Sequence, residues 1–417
     1  MKPENFAERL MGWQSLLIYP IYFAGALFPV NTIVPWILLI YAIIQQFNRQ
    51  SNPQILSWRS TPLHLWSWAV LMSCMGLVIL IGVQANGYNT NEIIRSALGW
   101  MRDWALLGIY PLVGYWLPIR PAVIYRSACV IAAQSLVMIP ICYGAFAMKL
   151  PATIYVSGLE RITQNGPIYY NIAWYMRDVD SDGVRLVLFT PWGPALGLMG
   201  CLFFIYALQE RHRIWKSLGL LGSIAMIVTS VSRGAFLFLP MTIALVWSLE
   251  NLSFIQLQLT LGTSCFVGGL SSAVLAHGIS EFLDGFKGAR KSSSKVREEL
   301  ERVALDRWMN SPVFGHGKPV PGPEFLKKMP IGSHHTWIGL LFTQGILGFF
   351  AFLIPLVWTI GILVSQVRHS TIAKVALSGL LLIALASFSD NIEKLSYLYW
   401  SAFLLIGIAA RPLPRQT

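Results

Sequence analysis

Charge is scarce in this sequence. Only 12% of its 417 residues are Asp, Glu, Lys or Arg, about half of the roughly 25% that soluble domains carry. Acidic residues are the scarcest: 19 Asp and Glu stand against 31 Lys and Arg, for a net charge of +12. Cysteine is rare as well. Cys74, Cys129, Cys142, Cys201 and Cys265 all lie in apolar stretches and none belongs to a CxxC pair, which excludes a disulfide framework and a thiolate zinc site and makes them packing residues. There is no solenoid-type repeat and no low-complexity tract. What remains is apolar: 55% of residues are hydrophobic and the mean hydropathy is +0.57. These figures exclude a soluble enzyme, a disordered chain and a nucleic-acid-binding domain. The positive balance suits the loops and headgroup contacts of a membrane protein.

A helix needs roughly 20 mostly apolar residues to cross a hydrocarbon core about 30 Å thick. Twelve such segments are expected, at 12–28, 31–47, 65–84, 98–118, 122–147, 187–208, 214–231, 234–249, 254–277, 337–364, 371–389 and 396–410. The segment 337–364 contains Gly345 and Gly348 and is taken as one tilted span. Lys2 and Arg9 precede the first segment with no A-x-A-like site after it, so no cleavable signal peptide is expected. The fold class is therefore all-α: a polytopic integral membrane protein with about 12 transmembrane helices. It forms one membrane domain over 1–417 with two long outer loops, 148–186 and 278–336. Lys and Arg in the short connections place both termini in the cytoplasm; this count leaves out the two long loops, which are themselves basic. Parity is independent of sign. The two long loops and the turn at 232–233 each follow an odd-numbered span, so they share one face.

The loop 278–336 carries an amphipathic helix. Ser294 is its expected cap; Val296, Leu300, Val303, Ala304 and Trp308 line one side, and Arg297, Glu298, Glu301 and Arg302 the other. A glycine-bearing turn follows, from Asn310 through His316 to Gly317. The loop closes on Gly332-Ser333-His334-His335-Thr336-Trp337. Adjacent helical residues diverge by about 100°, so the two histidines make a poor chelating pair, and no carboxylate stands at metal-ligand spacing. An acid–base role suits an imidazole better; a plain hydrogen bond to a neighbouring carbonyl is the structural alternative.

Arg185 stands where the other loop enters a span, and Arg233 lies in the tight turn Ser232-Arg233-Gly234-Ala235. Singly, Arg185 reads as a flanking charge and Arg233 as a snorkelling one just as well as functional groups. Two arginines and a histidine on one face, however, suggest an anionic ligand beside a base, because the planar guanidinium fork binds two phosphate oxygens at once. Residues 178–183, Asp-Val-Asp-Ser-Asp-Gly, begin like an EF-hand loop, but Phe189 stands where the closing Glu is required, so they read as a solvated turn. Asp390 and Glu393, between the final two spans, either orient a base, bind sugar hydroxyls or are simple loop charges. With His335, His316 and Arg161 they are secondary site candidates.

Four pieces in this order resemble one known family: Val184-Arg185-Leu186, Ser232-Arg233-Gly234-Ala235, Pro312-Val313-Phe314-Gly315-His316-Gly317, and His334-His335-Thr336-Trp337-Ile338 followed by Gly345-Ile346-Leu347-Gly348. The resemblance is to the O-antigen ligase and polymerase family of bacterial envelopes and covers roughly residues 150–365. The family's histidine motif reads His-Asn-(Thr/Ser)-Tyr. Here His335 replaces its Asn and Trp337 its Tyr, which aligns His334 with the family's essential histidine. The resemblance implies an inner-membrane glycosyltransferase with its site on the periplasmic face. Its donor would be a glycan on undecaprenyl diphosphate, its acceptor a hydroxyl on lipid A-core, on a growing polymer or on a protein. It also implies inversion at the anomeric carbon, no cofactor, no metal and no nucleic-acid partner. By position, Arg185 and Arg233 would hold the diphosphate and His334 would be the catalytic base. The alternatives are a polysaccharide polymerase with the same chemistry, a secondary transporter and an assembly scaffold. Against the transporter, there is no sign of inverted repeats or paired broken helices, and the spans contain few acidic residues; the scaffold leaves the arginines and His334 without purpose.

Overall fold

The computed structural model describes residues 3–48, 55–163, 165–177, 183–252, 254–272, 278, 291–324, 330–332 and 335–412. The described chain is overwhelmingly helical. From the N-terminus come α1 (Phe6–Leu16), α2 (Ile18–Phe23), α3 (Leu27–Phe47), α4 (Leu63–Ala85), α5 (Thr90–Arg102), α6 (Trp104–Trp116) and α7 (Pro121–Ala147). After the short α8 (Leu159–Thr163) follow α9 (Gly193–Leu208), α10 (Arg213–Thr229), α11 (Arg233–Glu250) and α12 (Ile255–Leu270). The set closes with α13 (Lys291–Trp308), α14 (Thr336–Gln366), α15 (Thr371–Ala386) and α16 (Trp400–Ala409). Among the described residues, five helices are long and apolar enough to cross a membrane: α3, α4, α7, α11 and α14. Four shorter apolar helices accompany them.

Among the described residues several helix bounds differ from the expected spans, and the differences have local causes. The expected span 98–118 breaks at Asp103, whose backbone (φ −106°, ψ −88°) is not helical. Its carboxylate receives Lys394 Nζ, so the chain turns to bring the two charges together. What precedes the break is α5, a helix none of whose residues is fully buried, not a span. The expected first span is split between α1 and α2. The segment 396–410 is helical only over Trp400–Ala409, after a 3₁₀ turn at Glu393–Leu395. Ser294 falls within the range of α13, Lys291–Trp308.

The break in α14 shows the same principle from the inside. Gly345 adopts φ +65°, ψ −164°, which only glycine reaches without strain. The helical ladder is interrupted there, and the segment 312–317 repairs it. His316 N donates to Phe342 O at 2.9 Å and Gly317 N to Thr343 O at 2.7 Å, while Ile346 N donates to Pro312 O at 2.9 Å. Freed backbone groups in an apolar setting must find such partners. A continuous hydropathy run cannot reveal this, because the loop supplies the bonds.

Among the described residues, three two-stranded antiparallel ladders dress the loops: Thr153–Val156 with Asn171–Ala173, Met176–Arg177 with Val184–Arg185, and Val320–Pro321 with Pro330–Ile331. In the helical core, α10 packs on α7 and α9, α4 on α6 and α14, and α16 on α6 and α15. The α6–α16 contact is backbone to backbone: a Cβ on Gly114 would strike Leu404 O, and one on Gly407 would strike Pro111 O. Small residues at helix crossings permit this approach in membranes. Gly407→Ala is expected to lower stability by about 1–3 kcal/mol through overpacking, read as a lower midpoint in thermal unfolding of the solubilised protein.

Candidate functional site

The two candidate arginines come together through backbone contacts. Leu186 N donates to Thr229 O at 3.0 Å, and the Arg185 guanidinium donates to Val231 O at 3.3 Å. Arg233, half-buried, is the first residue of α11, whose N-cap Ser232 accepts from Ala235 N at 3.3 Å. Arg185 thus lies against the turn that presents Arg233. Gly193 completes the fit: a Cβ there would strike Arg185 Cδ and stand 2.8 Å from Ser230 O. The turn is strained, since Val231 sits at φ +48° and Leu188, three residues past Arg185, also at +48°. Positive φ is unusual for any non-glycine residue and an outlier for a β-branched one; such strain persists where surrounding contacts over-determine it. Cations beside a helix N-terminus form a setting suited to an anion.

This corner is tied to the start of α14. Trp192 Nε1 donates to Asp390 Oδ2 at 2.8 Å, and Thr336 Oγ1 donates to Asp390 O at 2.7 Å. Thr336 N donates to Ser387 O at 3.0 Å, and Ile392 N to Thr336 Oγ1 at 3.0 Å. The 387–392 turn is therefore the bridge between the residues flanking Arg185 and the helix that His335 caps. His334 lies outside the described residues, as do residues 178–182 of the EF-hand-like stretch. Burial pushes the Asp390 carboxyl upward, against the Trp192 and Asn391 hydrogen bonds that favour its charged form.

The other candidates separate. The His335 Nδ1 accepts from Ile338 N at 3.4 Å, making this imidazole the N-cap of α14. Burial holds it below the ordinary imidazole range, in keeping with a neutral ring whose one lone pair is engaged. His316 is a tie between elements: its Nε2 bonds Arg307 O at 3.0 Å and its ring packs 4.6 Å from that of Phe342. Arg161 is exposed in α8. Among the described residues, no group of three or more His, Cys, Asp or Glu side chains is placed to hold a metal ion.

Sequence reading missed a polar cleft of about 430 Å³. It lies between α5, the 317–319 segment, Gly332 and the turn at Glu393 and Lys394. Glu92 meets Lys318 at 2.7 Å, and Asp103 receives Lys394. Burial pushes the Glu393 carboxyl up to about 7, with Asp103 and Asp390 adding to the effect and Lys394 opposing it. The available signal was Asp103, a charge within an apolar run, which is expensive without a partner.

Residues 218–353 match the family model described as O-antigen ligase. No curated protein matches the chain. The matched segment carries Arg233, His316 and His335 along with the break at Gly345; Arg185, Asp390 and Glu393 lie outside it. If capping is the role of His335, His335→Ala should cost about 1 kcal/mol, the usual value of a lost N-cap, and His335→Asn should restore it. Thermal unfolding of the three proteins measures this, and equal midpoints for all three would remove the capping role.

Proposed function

We propose that this chain, whose residues 218–353 match the O-antigen ligase family model, transfers a glycan from an undecaprenyl diphosphate carrier to an acceptor hydroxyl, with inversion and without a metal. The observation that carries the reading is the seating of Arg185 on the turn that presents Arg233. Departure of a lipid diphosphate leaves a stable anion, so the leaving group needs charge compensation more than a proton. Charge-assisted Arg–phosphate bonds in a water-poor site supply that compensation. His334 takes the proton of the acceptor hydroxyl as it attacks the anomeric carbon, a contribution of about 10²–10⁴ for a positioned base. Its chain neighbours support the assignment: Gly332 lines the polar cleft, and His335 caps the helix bonded to the 387–392 turn. The reaction takes place on the outer face of the bacterial inner membrane, where a lipid-linked donor and a hydroxyl acceptor meet, with both termini in the cytoplasm. A polymerase reading uses the same residues with a second lipid-linked glycan as acceptor.

His334→Ala should abolish transfer while expression and membrane insertion persist. Arg233→Lys should fall by at least about tenfold, because lysine keeps the charge but loses the fork. The readout is envelope polysaccharide in cells lacking the gene and complemented with each variant. In the uncomplemented cells, long chains stranded on the carrier lipid identify a ligase, and single repeat units a polymerase. Full restoration by either variant would refute the role assigned to that residue.

A further inference from the structure

We propose that the cleft between α5, the 317–319 segment and the turn bearing Glu393 is a saccharide subsite, in which the Glu393 carboxyl receives a sugar hydroxyl. It rests on the glycan-transfer reading for the identity of its ligand, and on the cleft itself for its existence. At about 430 Å³ the cleft lies within the range of small-molecule sites, about 300–1,000 Å³.

The charge pattern points to a hydroxylated ligand and away from a phosphate. Three of the four cations along the wall face carboxylates: Lys318 is 2.7 Å from Glu92, Arg95 is 3.8 Å from the same group, and Lys394 pairs with Asp103; the fourth, Arg102, gives its guanidinium to Leu98 O and Thr163 O. An anion would have to compete with these carboxylates and carbonyls. A sugar hydroxyl both donates and accepts, so it can bond either partner of a pair without breaking it. One group on the wall is left over. Glu393 is only 9% exposed, and its Oε2 has no hydrogen-bond partner among the described residues. A buried acceptor in that condition is costly unless a ligand or water supplies the donor. Trp100 and Trp104 add indole surface to the same wall, an apolar body suited to the C–H face of a pyranose.

Position agrees with chemistry. Glu393 lies three residues beyond Asp390, whose carboxylate holds Trp192 beside Gly193, the residue against which Arg185 packs. A glycan in the cleft would therefore be held by the same turn that braces the proposed diphosphate corner.

The test uses the full-length protein in lipid nanodiscs. The probe is a free oligosaccharide released by mild acid from the host's carrier lipid, and binding is followed by saturation-transfer NMR. The wild type should bind saturably, Glu393→Gln should weaken binding about tenfold, and Ser96→Trp, which fills the cleft from α5, should abolish it. Arg233→Lys should bind the probe like the wild type. In transfer assays, Ser96→Trp should raise KM for the acceptor if the cleft holds acceptor sugar, or for the donor if it holds donor glycan; either result supports the subsite. Wild-type protein that transfers glycan but does not bind the probe, or variants that bind it unchanged, would overturn the subsite and leave the transfer reading intact. Saturable, Glu393-dependent binding in a protein with no transfer activity would uphold the subsite and overturn the transfer reading.

Discussion

A guanidinium cannot be brought among apolar helices unless oxygen atoms receive it, and the backbone of one turn does that work here. Thr229 O takes the amide of Leu186 and Val231 O takes the side chain of Arg185. These bonds join the end of a long loop to a hairpin between two helices. Without them Arg185 would be a flanking charge and Arg233 a cation on a separate turn. The positive φ values at Leu188 and Val231 fit that role, because packing from both sides holds the chain where it would not rest alone. Gly193 is the matching concession, a position where any side chain would push the arginine away.

The second constraint is backbone satisfaction. The α14 helix is broken at Gly345, and the 312–317 segment bonds to its backbone on both sides of the break. The loop is thereby stitched to a helix that crosses the apolar core, and Gly317 and Lys318 are delivered to the cleft wall. Burial drives the association, with Leu300 and Ala304 of α13 packed beside Ile331 and Phe342. Hydrogen bonding decides the register.

Much of the candidate corner could be proposed before any coordinates, because its strongest signals are local. Ser232-Arg233-Gly234-Ala235 is a contiguous turn, and Arg185 stands at the mouth of a span; parity alone predicted a shared face for them, and the contacts join them. The family match over 218–353 takes in three of the four motifs that suggested it and leaves out Val184-Arg185-Leu186. What could not be read were features made by distant partners. Asp103 broke an expected span because Lys394 lies opposite it, a pairing almost three hundred positions apart that no window detects. Hydropathy runs smoothly through Gly345, so the kink was invisible until the loop crossing it was seen. His335 looked like a chemical group, whereas its ring nitrogen closes a helix end. The cleft escaped because its walls come from widely separated parts of the chain, from α5 to the turn at Glu393 and Lys394.

The bridge formed by residues 387–392 also sets a timetable. It belongs to the α15–α16 pair, which leaves the ribosome after every other element that touches it. Until that pair docks, Trp192 and Thr336 have no common partner, and the arginine corner and the capped helix are separate pieces. A nascent or interrupted chain can thus form its long apolar helices while the two pieces are still apart.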